Sequence, residues 1–136
     1  MDRATQRMLV SRARVGRLAT VTASGKAHVV PLCFALVGDF VYSAVDDKPK
    51  RSTDLQRIAN IAATSSTSLL VDHFDEDWST LWWVRLDGTG RLVFDDAEAA
   101  VAIEALTAKY EQYQQRPPRG AIIAIDVAHW TGWSAS

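Results

Sequence analysis

Three apolar runs in the first 45 residues are separated only by turns of two to four residues. The runs are GRLATVTA (16–23), HVVPLCFALV (28–37) and FVYSAV (40–45), and Ser24-Gly25-Lys26 and Gly38-Asp39 interrupt them. Connections this short leave no room for a crossover helix, so consecutive strands must run antiparallel. The first run alternates apolar with small polar residues, the two-residue period of a half-buried strand. A meander of tightly connected strands is therefore the dominant constraint on the fold.

The pattern resumes after a break. DDKPK (46–50) interrupts the strands, and the spacing of Leu55, Ile58, Ala59 and Ala62 predicts a helix from about Ser52 to Ala62, capped by Ser52 or Thr53. TSLLVDHF (67–74), LWWVRLD (81–87), TGRLVF (89–94) and AIIAIDVAHW (121–130) read as strands. The Asp87-Gly88 pair reads as a very short turn between two of them, and the last strand is followed by a short tail. Residues 95–113 read as a helix with a stripe of Ala99, Ile103, Leu106 and Tyr110, and acidic residues at its start suit the helix dipole. Residues 2–13 read as a short helix with Met8 and Leu9 on its docking face. With six or seven sequential strands and helices at the connections, the chain is expected to be mainly β: one domain over 1–136, an antiparallel β-barrel with helices packed at its ends.

Charge and cysteine usage narrow the function. The formal net charge is -1, so the molecule as a whole has no attraction for nucleic acid or an anionic membrane, and neither is expected as a partner. A single cysteine, Cys33, excludes an internal disulfide and suits a reducing compartment. Apolar neighbours place Cys33 mid-strand and buried. The charged N-terminus lacks the apolar stretch of roughly 7 to 15 residues of a secretory signal, and no run nears the 18 or so of a membrane span. A cytoplasmic location is expected.

Four features carry candidate chemistry. Lys48, Lys50 and Arg51 fall in five residues just before a predicted helix start, where free backbone N–H groups, Ser52 and Thr53 add donors. The cluster suits a phosphate or carboxylate, and equally reads as a solvated loop. On strand 81–87, alternation puts Trp82, Val84 and Leu86 on one face and Trp83 with Arg85 on the other. That aromatic–cation pair suits a planar anionic ligand or a partner subunit. Any single one of the five tryptophans, Trp78 and Trp133 among them, is otherwise core or interface packing. Pro31, three residues after His28, marks a strand edge or bulge, and that backbone is open to a ligand or is simply irregular. The acidic run 72–77 matches no metal-ligand spacing and reads as solvated carboxylates, so no metal is expected, with Asp77 a possible partner for Arg85. No nucleophile signature or phosphate-binding glycine loop is present.

The order of these pieces resembles the flavin-binding split-barrel family typified by pyridoxamine 5'-phosphate oxidase. The resemblance runs from GRLATV through Gly25-x-x-His28-x-x-Pro31 and the basic stretch to Val84-Arg85-x-x-Gly88 and the closing TGW. Within the family, DHFDEDWSTLWWVRLDG is most similar to an actinobacterial branch that uses the deazaflavin coenzyme F-420 in place of FMN. The resemblance implies a split barrel of the FMN-binding type, a homodimer with cofactor at the subunit interface, and hydride transfer to a small electron-poor organic substrate. FMN is the alternative cofactor, and a non-catalytic cofactor-binding dimer the alternative role. It assigns Lys48, Lys50, Arg51 and Ser52 to the phosphate or acidic tail. His28, Val30 and Pro31 fall to the ring side; Trp83, Arg85, Trp78 and Trp133 to the cleft wall. No side chain is assigned a catalytic role. Two departures matter. No arginine follows Arg119, so the residues that hold the pyridoxal ring in the oxidase are missing, and the basic pair reads Lys-Arg.

Overall fold

The computed structural model describes residues 1–45 and 52–136, with backbone alone for 52–55. The chain runs α1 (Arg3–Arg12), β1 (Gly16–Val21), β2 (Ala27–Leu32), β3 (Ala35–Val37), β4 (Phe40–Ala44), α2 (Ser52–Thr64), β5 (Ser66–His73), a 3-10 turn (Trp78–Thr80), β6 (Trp82–Leu92), α3 (Asp96–Lys109), α4 (Glu111–Gln115) and β7 (Ile122–Ser134). The seven strands form one antiparallel sheet in the order β2-β1-β5-β6-β7-β4-β3. It curls into a split barrel with β2 and β3 at its two edges.

Alternation sorts each strand between two faces. Leu18, Leu69, Val71, Val84, Leu86 and Val41 point inward and are essentially fully buried, together with Phe34 and Val10 of α1. Ile61 of α2 closes one end of the barrel against Ile123 and Val45. Outside the barrel, Ala102 of α3 packs on Tyr42, Ile122 and Ala124. Arg91 of β6 anchors this helix through a two-pronged pair with Glu98 (2.7 Å each) and a second pair with Asp126 (3.1 Å). Thus α3 covers the outer face over β4 and the start of β7.

Several elements depart from the sequence expectation. The apolar run 28–37 is two strands broken at Cys33 and Phe34. The break turns Phe34 into the core, where its N–H donates to the Tyr110 hydroxyl (3.1 Å), and leaves Cys33 exposed, not buried. Residues 81–94 do not form a hairpin at Asp87-Gly88. They form the continuous strand β6, and the Asp-Gly pair sits at a β-bulge: Asp87 faces His129 while Gly88 faces Val127, so Ala128 is the extra residue on β7. Glycine is required there, because a Cβ on residue 88 would run into the carbonyl oxygen of Asp126. The expected tail is strand as well, since β7 continues to Ser134. The expected helix 95–113 breaks at Tyr110, whose extended backbone (φ -114°, ψ 123°) separates α3 from α4. Tyr110 bridges instead of winding on: its hydroxyl accepts from Phe34 and donates to the carbonyl of Arg14 (2.9 Å). On α1, Gln6 and Val10 are buried and Met8 is exposed; on α2 the buried face is Arg57, Asn60 and Ile61, with Ala59 and Ala62 outside.

Candidate functional site

The outer face is organised in straight rows across the sheet. Pro31, Arg17, Leu70, Arg85 and Thr131 are register partners on successive strands. The next row is Val29, Ala19, Ser68, Asp87 and His129, and on the other side Asp72, Trp83 and Trp133 line up. At this end no helix lies over the sheet among the described residues. The result is an open groove of about 590 Å³ lined by Val29, Leu70, Phe74, Trp83, Trp133 and the stems of Arg17 and Arg85. Val29, Phe74 and Trp133 are largely exposed, which for apolar side chains marks a docking or ligand surface.

The groove's cations are already balanced. Arg17 pairs with Asp72 at 2.8 Å, and Arg85 Nε donates to Asp87 at 3.1 Å, which itself accepts from Ser68. The Arg85 guanidinium lies 5.9 Å from the Trp83 ring centroid, so the predicted aromatic–cation pair exists on the predicted face. Asp77 does not join Arg85; its carboxylate caps the 3-10 turn through Ser79, which holds its pKa below the usual carboxylate range.

A second cavity, of about 630 Å³, lies around the other side of the β2 edge. Pro31 and Cys33 form one wall, Ala44 and Val45 at the end of β4 another, Arg57 of α2 a third. Tyr110, Tyr113 and the loop carrying Arg116 and Arg119 close it. Arg57 is 6% exposed, whereas Arg116 and Arg119 are open to solvent. Three guanidinium groups and no carboxylate line this cavity among the described residues, so its described wall is cationic. Next to it, Lys109 Nζ is shut in 3.9 Å from the Phe34 ring centroid, and burial pushes its ammonium down to about 8, with Arg14 adding to the effect. Burial likewise pushes the Tyr110 hydroxyl up to about 12.

The sequence-derived site residues are distributed over these features. Trp83, Arg85 and Trp133 share the groove, and Pro31 lines the cationic cavity; Pro31 and Arg17, register partners, join the two. Val30 turns its side chain into the core, and His28 sits half-buried on that same inward face opposite Thr20. Trp78 is exposed on the 3-10 turn and lines neither cavity. Lys48, Lys50 and Arg51 lie outside the described residues, as does the Ser52 side chain; α2 begins at Ser52, where the sequence puts the helix start. Arg57, Arg116, Arg119 and Cys33 were not foreseen as neighbours of one cavity. The Arg-Pro-Pro-Arg loop was the available sign, but nothing local ties it to α2 or to the β2 edge.

The seven-stranded antiparallel sheet, with a cavity at its β2 edge and an uncovered aromatic face, defines a protein of the split-barrel class. The chain belongs to the pyridoxamine 5'-phosphate oxidase family, whose sequence profile matches residues 3–134. Similar solved structures include a conserved hypothetical protein from Mycobacterium tuberculosis (TM-score 0.81, 18% identity, 99% of this chain and 86% of that one). Another is an FAD-binding protein from Mesorhizobium loti (0.74, 20%, 97% and 94%). A haem-binding protein from Mycobacterium smegmatis is also similar (0.72, 17%, 96% of this chain and 56% of that one). No curated protein sequence matches the chain. Among the described residues, no helix is long and apolar enough to cross a membrane and no group of side chains is arranged to hold a metal.

Proposed function

We propose that the chain is an oxidoreductase that uses the deazaflavin coenzyme F-420 and acts on a small electron-poor organic substrate. The observation that carries this reading is the cationic cavity at the β2 edge: three arginines and no acid among its described lining residues. A cavity of that charge and of about 630 Å³ fits a cofactor with an anionic phosphate and acidic tail. Bound there, the cofactor ring supplies hydride transfer, which asks little of the protein beyond orientation and electrostatics.

The chain's own residues divide that work. Arg57, nearly buried on α2, lines the cavity at a depth where an ionic contact is stronger than at the surface. Lys48, Lys50 and Arg51 precede α2 in the sequence and, with Ser52, are the residues this reading assigns to the phosphate. The edge backbone at Val30 and Pro31, next to His28, offers a flat wall, because an edge strand has one unpaired side. A second copy of the chain packed on the open groove makes a homodimer. It brings the two cavities towards the Trp83, Trp133 and Trp78 side chains, which exclude water from the reacting atoms. Arg85, paired with Asp87 through Nε, presents its other guanidinium N–H donors to that closed space.

The actinobacterial likeness of DHFDEDWSTLWWVRLDG supports the deazaflavin. An FMN-dependent oxidoreductase is the second reading, supported by the fold's likeness to FAD-binding proteins. The test is turnover of chemically reduced F-420, and separately of reduced FMN, with a panel of quinones and enones. Faster F-420 oxidation than in a protein-free control is expected; oxidation of neither cofactor above that control would remove the enzymatic reading.

A further inference from the structure

The arginines of the cavity fall into two groups. Arg57 belongs to the interior, 6% exposed on α2. Arg116 and Arg119 belong to the rim, on the loop between α4 and β7, and both face the same cavity. Four other arginines pair with acids, Arg7 with Asp39, Arg17 with Asp72, Arg85 with Asp87 and Arg91 with Glu98 and Asp126, while Arg3 and Arg14 lie over aromatic rings. Arg116 and Arg119 have no acidic partner among the described residues, and the described cavity wall contains no carboxylate that could serve as one. The two residues between them are Pro117 and Pro118. Each proline fixes its φ and removes a backbone donor, so this loop offers its hydrogen-bonding capacity to a ligand through the guanidinium groups.

Resting on the cofactor reading above, we propose that Arg116 and Arg119 form an anion clamp at the rim of the cavity that grips a multiply charged acidic tail. The clamp makes the chain prefer a polyanionic cofactor over one that ends in a single phosphate. The clamp is distinct from the KPKR cluster before α2. Each guanidinium matches a carboxylate or phosphate with two parallel N–H donors. A ligand with one anionic group held inside the cavity leaves the rim unused; a ligand with several reaches it. Because the rim is exposed, its contribution is screened by salt.

The experiment compares wild type, R116A/R119A and R116K/R119K by calorimetry at low and high salt. The probes are tailed F-420, the tail-less deazaflavin that carries only the ring and ribityl chain, a triglutamate peptide, and inorganic pyrophosphate. The clamp predicts that R116A/R119A keeps the thermal stability of wild type, loses about tenfold or more in affinity for tailed F-420, and binds the tail-less compound within about twofold. The lysine pair restores part of the loss, and high salt erases the difference between wild type and alanine variant. Loss for triglutamate with pyrophosphate unchanged assigns the clamp to carboxylates, the converse to phosphates. If wild type binds F-420 and the alanine variant binds it equally well, or loses the tail-less compound to the same degree, the clamp is wrong and the cofactor reading stands. If only the free anions bind, in an Arg116- and Arg119-dependent way, the clamp stands and the deazaflavin reading falls. If no probe binds, both fall.

Discussion

Trp83 and Trp133 stand directly opposite each other across the β6–β7 ladder, both on the outer face of the barrel. Trp133 is 46% exposed, and the Arg85 guanidinium lies 5.9 Å from the Trp83 ring centroid. The face remains open because α3 covers only the far part of the sheet, where Arg91 and Glu98 lock it down. One face therefore carries a helix-packed half and an uncovered aromatic half, and the uncovered half is the surface we assign to the second subunit.

Truncating an aromatic anchor at such a surface should weaken self-association and spare the fold. W133A is expected to raise the dimer dissociation constant by about thirtyfold, corresponding to roughly 2 kcal/mol for an interface tryptophan. Its melting temperature, extrapolated to low protein concentration, should match wild type. Sedimentation equilibrium over a concentration series checks this. A wild-type chain that stays monomeric at high concentration contradicts the assignment of this face.

Cys33 reports on the cationic cavity. It is exposed at the break between β2 and β3 and lines the cavity with Pro31. In free protein a bulky maleimide should label it readily, and a saturating cofactor should slow labelling about tenfold or more by occupying the space. Labelling rates followed by intact mass give the answer. Equal rates with and without a cofactor that binds would locate that cofactor elsewhere.

The Arg91–Glu98 pair sets an acid-sensitive element of stability. Hydrogen bonds from Arg91, then Tyr42, hold the Glu98 carboxyl down to about 2, against an ordinary 4.5. A depressed carboxylate pKa gives stability that is fully present above the ordinary value and is lost as pH falls towards the folded one. E98Q should therefore cost about 1–2 kcal/mol at pH 7, as for a charge-assisted hydrogen bond, and progressively less below pH 4.5. Urea unfolding of both proteins at several pH values measures it. A difference independent of pH would mean that packing, not charge, holds α3.

The strands and their faces were largely legible, because a two-residue period and tight turns act over short distances. Trp83 and Arg85 share a face as alternation required, and Pro31 lies on an edge strand as its missing N–H demands. What was not legible depended on distant partners. Asp87-Gly88 carries the chemistry of a hairpin turn, yet Ala128, forty residues on, makes it a bulge. Tyr110 fits a helical stripe, yet its hydroxyl serves Phe34 and Arg14. The apolar neighbours of Cys33 suggested burial, but the adjacent Phe34 took the core position. The cationic cavity is assembled from α2, the β2 edge and the Arg-Pro-Pro-Arg loop, which are far apart in sequence. The basic cluster that the sequence did point to, Lys48, Lys50 and Arg51, lies outside the described residues.

The most direct test of the central claim is titration of the purified protein with F-420 and, separately, FMN, following cofactor and tryptophan fluorescence. The account predicts saturable binding of F-420, weaker binding of FMN, and quenching of tryptophan emission on binding. FMN bound more tightly would move the chain to the flavin reading. Failure of both to bind would contradict the claim that this barrel carries a flavin-type cofactor.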